Sequence, residues 1–221
     1  MSGQAERAVT AARDAERTAA LRCQCYAALS ELTASPHDVE MLPAIRARVG
    51  TSWQLPYALP LTPLLAEFAG ADVEQLKLEY SGLFEVGSDG PPVPIREDLL
   101  TGQKGGTRED IVRFFDFFGY RLGDRFAWAP DHLSVLLEFM HYLCYHETQG
   151  GQDRLSWQLA QADFCERHLV NWLPSLAAAV EKVAPGSSYS RVIAAVRDFA
   201  AADHAWQAST IDNGKSRGVT L

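Results

Sequence analysis

Apolar positions recur at helical spacing along almost the whole chain, and the residues between the recurring stretches are ones that start or stop helices. From about Arg7 to Leu32 an Ala-rich stretch carries Val9, Leu21, Tyr26, Leu29 and Leu32 for packing, which predicts a first helix. Ser35-Pro36-His37-Asp38 supplies an N-cap, a proline for the first helical position and an acid for the first turn. A second helix is expected from there to about Val49. Pro56 and Pro60 make residues 51–60 irregular, and Thr62-Pro63 restarts a short helix through Phe68. Gly70 ends that helix, and Asp72 caps the next, which carries Leu76, Tyr80, Leu83 and Phe84.

Residues 85–106 break the pattern. Gly87, Gly90, Pro91, Pro92, Pro94, Gly102, Gly105 and Gly106 forbid a regular helix and predict one long loop. Thr107-Arg108-Glu109-Asp110 has the form of a capping box. The helix behind it holds Ile111, Phe114, Phe115 and Phe118 and stops at Gly119. A link with Phe126 and Trp128 leads to Pro130, a proline suited to a first helical turn, where Asp131 favours the helix dipole. Leu133, Leu136, Leu137, Met140, Leu143 and Cys144 then mark one wide apolar face, closed by Gly150-Gly151. A long helix follows with Leu155, Leu159, Phe164, Leu169 and Trp172, and Pro174 is expected to break or kink it. It resumes through Leu176, Val180 and Val183. A last helix, capped at Ser187 or Ser188, carries Tyr189, Val192, Ile193, Val196 and Phe199. No useful period-2 stretch occurs. The expected fold is an all-α, single-domain bundle of about eight helices with one long Pro/Gly-rich loop. It spans residues 1–208, with a flexible polar tail over 209–221.

Composition supports one domain: 221 residues, 47% hydrophobic and 22% charged. The net charge of -8 argues against binding nucleic-acid phosphates. That charge is not evenly spread. Glu79 to Glu147 holds twelve acids and six basic residues, a net of -6. No run approaches the roughly 18 apolar residues of a membrane span, and Met1–Arg22 lacks the apolar core of a secretory signal. Cys23, Cys25, Cys144 and Cys165 form no CxxC pair. These features together predict a cytoplasmic protein.

Candidate chemistry is sparse. Glu138-x-x-His141 is one Glu-x-x-His, where a di-metal bundle needs two plus further glutamates. Cys23 and Cys25 point to different faces of a helix. Thr101–Thr107 has the glycines and lysine of a phosphate loop, but Lys104 precedes the glycines and no strand comes before. An anion at the Thr107 helix start stays open, and with it a nucleotide-binding helical enzyme with weak GTP hydrolysis. Asp131-His132 offers the acid and imidazole of a triad, without a nucleophile. A scaffold that only bridges subunits is a further reading. The acidic, aromatic-rich middle suits a peptide with a basic end and an apolar body.

Four stretches resemble the TorD/NarJ/DmsD family of redox-enzyme maturation chaperones. Tyr80-Ser81-Gly82-Leu83-Phe84 is similar to its Tyr-x-x-Leu-Phe motif, and Gly90–Glu97 to its Pro-rich loop ending in an acid. Pro130-Asp131-His132-Leu133 resembles its Asp-His helix start, and His168–Pro174 its late His-Leu-x-x-Trp-Leu-Pro segment. The family often carries a Glu before the Pro of the Asp-His motif; here Phe126-Ala127-Trp128-Ala129 stand there, so no residue takes that acid's role. The resemblance implies a non-enzymatic role and no cofactor of its own. The partner would be the apo catalytic subunit of a molybdopterin oxidoreductase of the dimethyl sulfoxide reductase class, and its twin-arginine signal peptide. Within the family the type II branch is nearest. The expected client-facing residues are Tyr80, Phe84, Glu97, Trp128, Asp131, His132 and Glu138. The acids would meet arginines if exposed, and the aromatics would cover the apolar part.

Overall fold

The computed structural model describes residues 15–37, 41–57, 59, 61–88, 90–103, 105–123 and 129–211. Among these residues the chain forms ten α-helices and no strand: α1 (Ala15–Thr33), α2 (Met41–Arg48), α3 (Leu61–Gly70), α4 (Val73–Phe84), α5 (Glu97–Leu100), α6 (Thr107–Phe118), α7 (Leu133–Thr148), α8 (Arg154–Cys165), α9 (Leu173–Val183) and α10 (Ser188–Thr210). The all-helical bundle expected from periodicity is what forms. Trp128, Lys104 and the part of the first helix before Ala15 lie outside the described residues.

α7 is the central helix. Leu133, Val135, Leu136, Leu137, Phe139, Met140, Leu143 and Cys144 are all buried, which covers most of its circumference and not one stripe. α1 lies along one side, with Cys25, Tyr26, Ala28, Leu29 and Leu32 buried, and α8 packs on another. α10 closes the bundle against α9, α1, α8 and α3. Each fully buried Leu or Phe removed from water contributes roughly 1.5–3 kcal/mol.

Several predicted ends are found as expected. The Asp72 carboxylate accepts from the Glu74 N–H, and the Ser187 hydroxyl accepts from the Ser190 N–H. Gly119, at φ +70°, ends α6: its N–H reaches Asp116 O and the Tyr120 N–H reaches Phe115 O, a paired closure that needs a left-handed residue.

Four ends differ. The capping box at Thr107 does not form: Gly106 (φ +103°) is the N-cap with no side-chain cap bond, and Thr107 is already the first helical residue. Pro130 and Asp131 precede α7 and do not open it; His132 is its N-cap, accepting from the Ser134 N–H through Nδ1. The long loop contains one helical turn, α5. Pro174 does not kink a continuous helix. α8 passes into a π-helical turn at Glu166–Val170, and Pro174 sits in the first turn of a new helix, where its missing N–H costs nothing. The His168 carbonyl, freed by the wide turn, accepts from Trp172 Nε1 at 2.6 Å.

A centre of buried charge ties α1, α7 and α10. Arg22 is fully buried and grips Asp203 with two bonds, Nε to Oδ1 at 2.5 Å and Nη2 to Oδ2 at 2.9 Å, while Nη1 donates to Glu147 at 3.2 Å. Tyr26, Tyr57 and Gln207 also donate to Asp203; Gln158 and Gln161 donate to Glu147. Burial alone would raise the Asp203 pKa, but the Arg22 charge and these donors hold it below the usual carboxylate value. The four cysteines are buried thiols; burial lifts the Cys23 pKa to about 11, so it is no ready nucleophile or ligand.

Candidate functional site

The four family-like stretches, spread over residues 80–174, meet in one junction. Tyr80 on α4 places its hydroxyl 3.1 Å from His132 Nε2 and 3.4 Å from the Thr33 carbonyl at the end of α1. The Ser134 N–H already donates to His132 Nδ1, so the neutral ring carries its proton on Nε2. The ring then donates to the Tyr80 oxygen, and Tyr80 donates onward to Thr33. Burial, offset in part by Asp131, lowers the His132 pKa to about 4.

The second part of the junction is the loop before α5. The Leu133 N–H bonds Ile95 O at 3.1 Å and the Glu97 N–H bonds Asp131 O at 3.0 Å, which pins residues 95–97 beside 131–133. This pairing buries Asp131 completely. Its Oδ1 accepts from Arg96 at 2.8 and 3.2 Å, with Arg108 Nε at 3.7 Å, and its Oδ2 accepts from the Asp98 N–H at 3.3 Å. Arg96, the N-cap of α5, has no capping side-chain bond, so Asp131 satisfies a first-turn donor from outside the helix.

The third link runs to the π-turn. Glu97 is buried and lies 3.0 Å from His168 Nδ1. His168 Nε2 lies 3.2 Å from Asp110 on α6, and the same carboxylate oxygen accepts from Arg167 Nη1 at 2.9 Å. The network therefore starts inside at Thr33 and Tyr80 and comes out at Arg167, where nearly half of the side chain is exposed.

Most of the expected client-facing residues are built into this junction. Tyr80 and Phe84 are core side chains with ring centroids 5.0 Å apart, and both meet Tyr189 edge to face. Asp131, expected to meet a client's arginine if exposed, is buried against the chain's own Arg96. Glu97 faces His168. Of the three acids, Glu138 alone is exposed. His141, its Glu-x-x-His partner, turns toward α1, with Nδ1 2.9 Å from Cys23 O.

An open surface lies next to the junction, and the sequence reading passed over it. α6 and α8 frame a groove of about 540 Å³ lined by Asp110, Phe114, Phe117, Phe118, Leu159 and Asp163, among others. Phe117 is 79% exposed, an unusual position for a phenylalanine. A signal was available in Phe114-Phe115-Asp116-Phe117-Phe118. At about 100° per residue, one face cannot bury four rings in five positions; Phe115 takes the core and Phe117 points away from it.

The fold matches a solved structure from Archaeoglobus fulgidus assigned by its description as a redox enzyme maturation protein. The TM-score is 0.52, with 21% identity over 80% of this chain and 92% of that one. A family model described as the nitrate reductase delta subunit matches residues 51–178, and the chain belongs to that family. It is 37% identical over 106 residues to the chlorate reductase assembly chaperone protein of Ideonella dechloratans, covering 46% of this chain and 55% of that one. It is 33% identical to the selenate reductase assembly chaperone protein of Thauera selenatis, covering 53% and 63%. The chaperone protein TorD of Shewanella pealeana is 23% identical across 87% of this chain and 92% of its own. The match spans less than two thirds of the first two relatives' lengths.

Proposed function

We propose that this chain is an assembly chaperone for the catalytic subunit of a molybdenum oxidoreductase of the dimethyl sulfoxide reductase class. It acts in the cytoplasm, without turnover and without a cofactor of its own. It holds the apo-subunit in a receptive state until the molybdopterin guanine dinucleotide cofactor enters, and it engages the subunit's twin-arginine signal peptide before export. The observation that carries this reading is the convergence of the four family-like stretches on one junction, Tyr80–His132, Arg96–Asp131 and Glu97–His168. Its hydrogen bonds end on the chain's own groups, which suits a rigid platform for a partner better than a reaction centre. The relatives named for chlorate and selenate reductases make an oxyanion reductase the first client to try.

The test is calorimetric titration of the chain with the apo-subunit, the cofactor-loaded subunit and the signal peptide. Micromolar or tighter binding of the apo form and at least tenfold weaker binding of the loaded form are expected. Equal affinity for both forms would point to a subunit-bridging scaffold. Release of phosphate from GTP by the pure chain would overturn the non-enzymatic reading.

A further inference from the structure

The rim of the α6–α8 groove already holds a guanidinium. Arg167 projects from the π-turn, donates to Asp110 at 2.9 Å, and lies 3.7 Å from Asp163 Oδ1. Its Cζ sits 5.5 Å from the centroid of the Phe114 ring. Two carboxylates and an aromatic face are a complete receptor for an arginine side chain. Both ion pairs are half in water: the Arg167 side chain is 46% exposed and that of Asp163 57%. Such exposed pairs hold weakly. Directly beyond this receptor, Phe117 and Leu159 offer uncovered apolar surface. Arg113 also lines the groove, so with Arg167 in place the two acids stand among two guanidinium groups, and the acids gain net weight only when Arg167 swings out.

We infer that Arg167 is a placeholder, and that the groove takes an extended peptide segment whose arginine displaces it while the following apolar side chains cover Phe117 and Leu159. This rests on the chaperone reading and names the chemistry of the client segment. The apolar groove gives the area and the displaced pair gives the selectivity for guanidinium. A lysine would lose the planar contact with Phe114 and the forked donation to the carboxylates.

The experiment is fluorescence anisotropy with the full chain and a labelled blocked peptide containing one arginine followed by leucine, alanine, phenylalanine and leucine. Versions with lysine or citrulline replace the arginine. The arginine peptide should bind about tenfold tighter than the citrulline one, worth about 1.4 kcal/mol. Arg167→Ala should tighten its binding about two- to fivefold, because a weak internal competitor is gone. Phe117→Asp and Asp163→Asn should weaken it, with melting curves of all variants checked against the parent. Equal binding of the arginine and citrulline peptides, or weaker binding to Arg167→Ala, overturns the inference. The apo-subunit separates the two levels. If the parent binds it and Phe117→Asp binds it equally well, the groove assignment fails and the chaperone reading stands. If the parent does not bind it at all, the chaperone reading fails, and the peptide titration alone decides the groove.

Discussion

The Arg22 centre and the Asp131–Glu97 junction both bury carboxylates against cations, but they differ in where their hydrogen bonds end. The carboxylates that hold Arg22, Asp203 and Glu147, are buried, as is Gln207 on Asp203, and the guanidinium lies 5.2 Å from the ring of the half-buried Trp206. The junction grades outward, from the buried Asp131 and Glu97 through His168 to the half-exposed Asp110 and Arg167. A closed network fixes how α1, α7 and α10 sit together. A graded one ends on a surface that a partner can reach. Buried charge is thus no marker of function by itself.

The largest expected break is at the closed centre. Asp203→Ala leaves a fully buried guanidinium without its two-bond partner and should cost about 3–5 kcal/mol, read from urea unfolding. A loss below about 1 kcal/mol would mean that water reaches Arg22. Asp131→Ala should cost less, about 2 kcal/mol, because the Arg96 side chain keeps some solvent access and can rehydrate. Paired with His132→Ala, it should lower client maturation through the misplaced 95–97 loop. If the two aspartate variants lose equal stability, the contrast between closed and graded networks fails.

Acid separates the regions again. An unfolded chain takes up a proton at His132 near pH 6.5, the folded chain only near 4, so acid favours unfolding between these values. Stability is whole above pH 6.5, falls as pH drops toward 4, and levels below. With part of the ring accessible, the loss attributable to His132 is about 2 kcal/mol. His132→Asn keeps an N-cap acceptor and should remove that slope, measured as the urea midpoint against pH. Asp203, with its pKa held low, contributes stability that is present above about 3.8 and lost as pH falls through its lower folded value. A parent that loses all its acid-sensitive stability below pH 4 would contradict the His132 assignment. The smallest stability effect is expected at Phe117→Ser, within about 0.5 kcal/mol, because the ring is mostly in water. Its effect should appear in peptide binding instead.

Helix content was readable from periodicity and turn chemistry, because Asp72, Gly119 and Ser187 act on groups a few residues away. What was not readable depends on long-range pairing. Arg22 looks like one more charge on an Ala-rich helix, and its partner stands 181 residues later. Asp131 looks like a first-turn acid, and only the pairing of 95–97 with 131–133 sends it to Arg96 and the start of α5. Resemblance singled out stretches that the fold brings together, but it carries no information on which of their side chains are buried. Tyr80 and Phe84 are core side chains.

The π-turn at Glu166–Val170 sets an angular phase. A wide turn accommodates one residue more than an α-helix would over the same rise. Deleting one residue between Phe164 and His168 would let the segment relax to α-helix, with His168 three residues past Phe164 at about 100° each instead of four residues round a wider turn. Its ring would leave Glu97 and Asp110 together, and Arg167 would leave the groove with it. A single-residue change in length, with no loss of apolar burial in α8, would thus disconnect the interior of the bundle from its outer face.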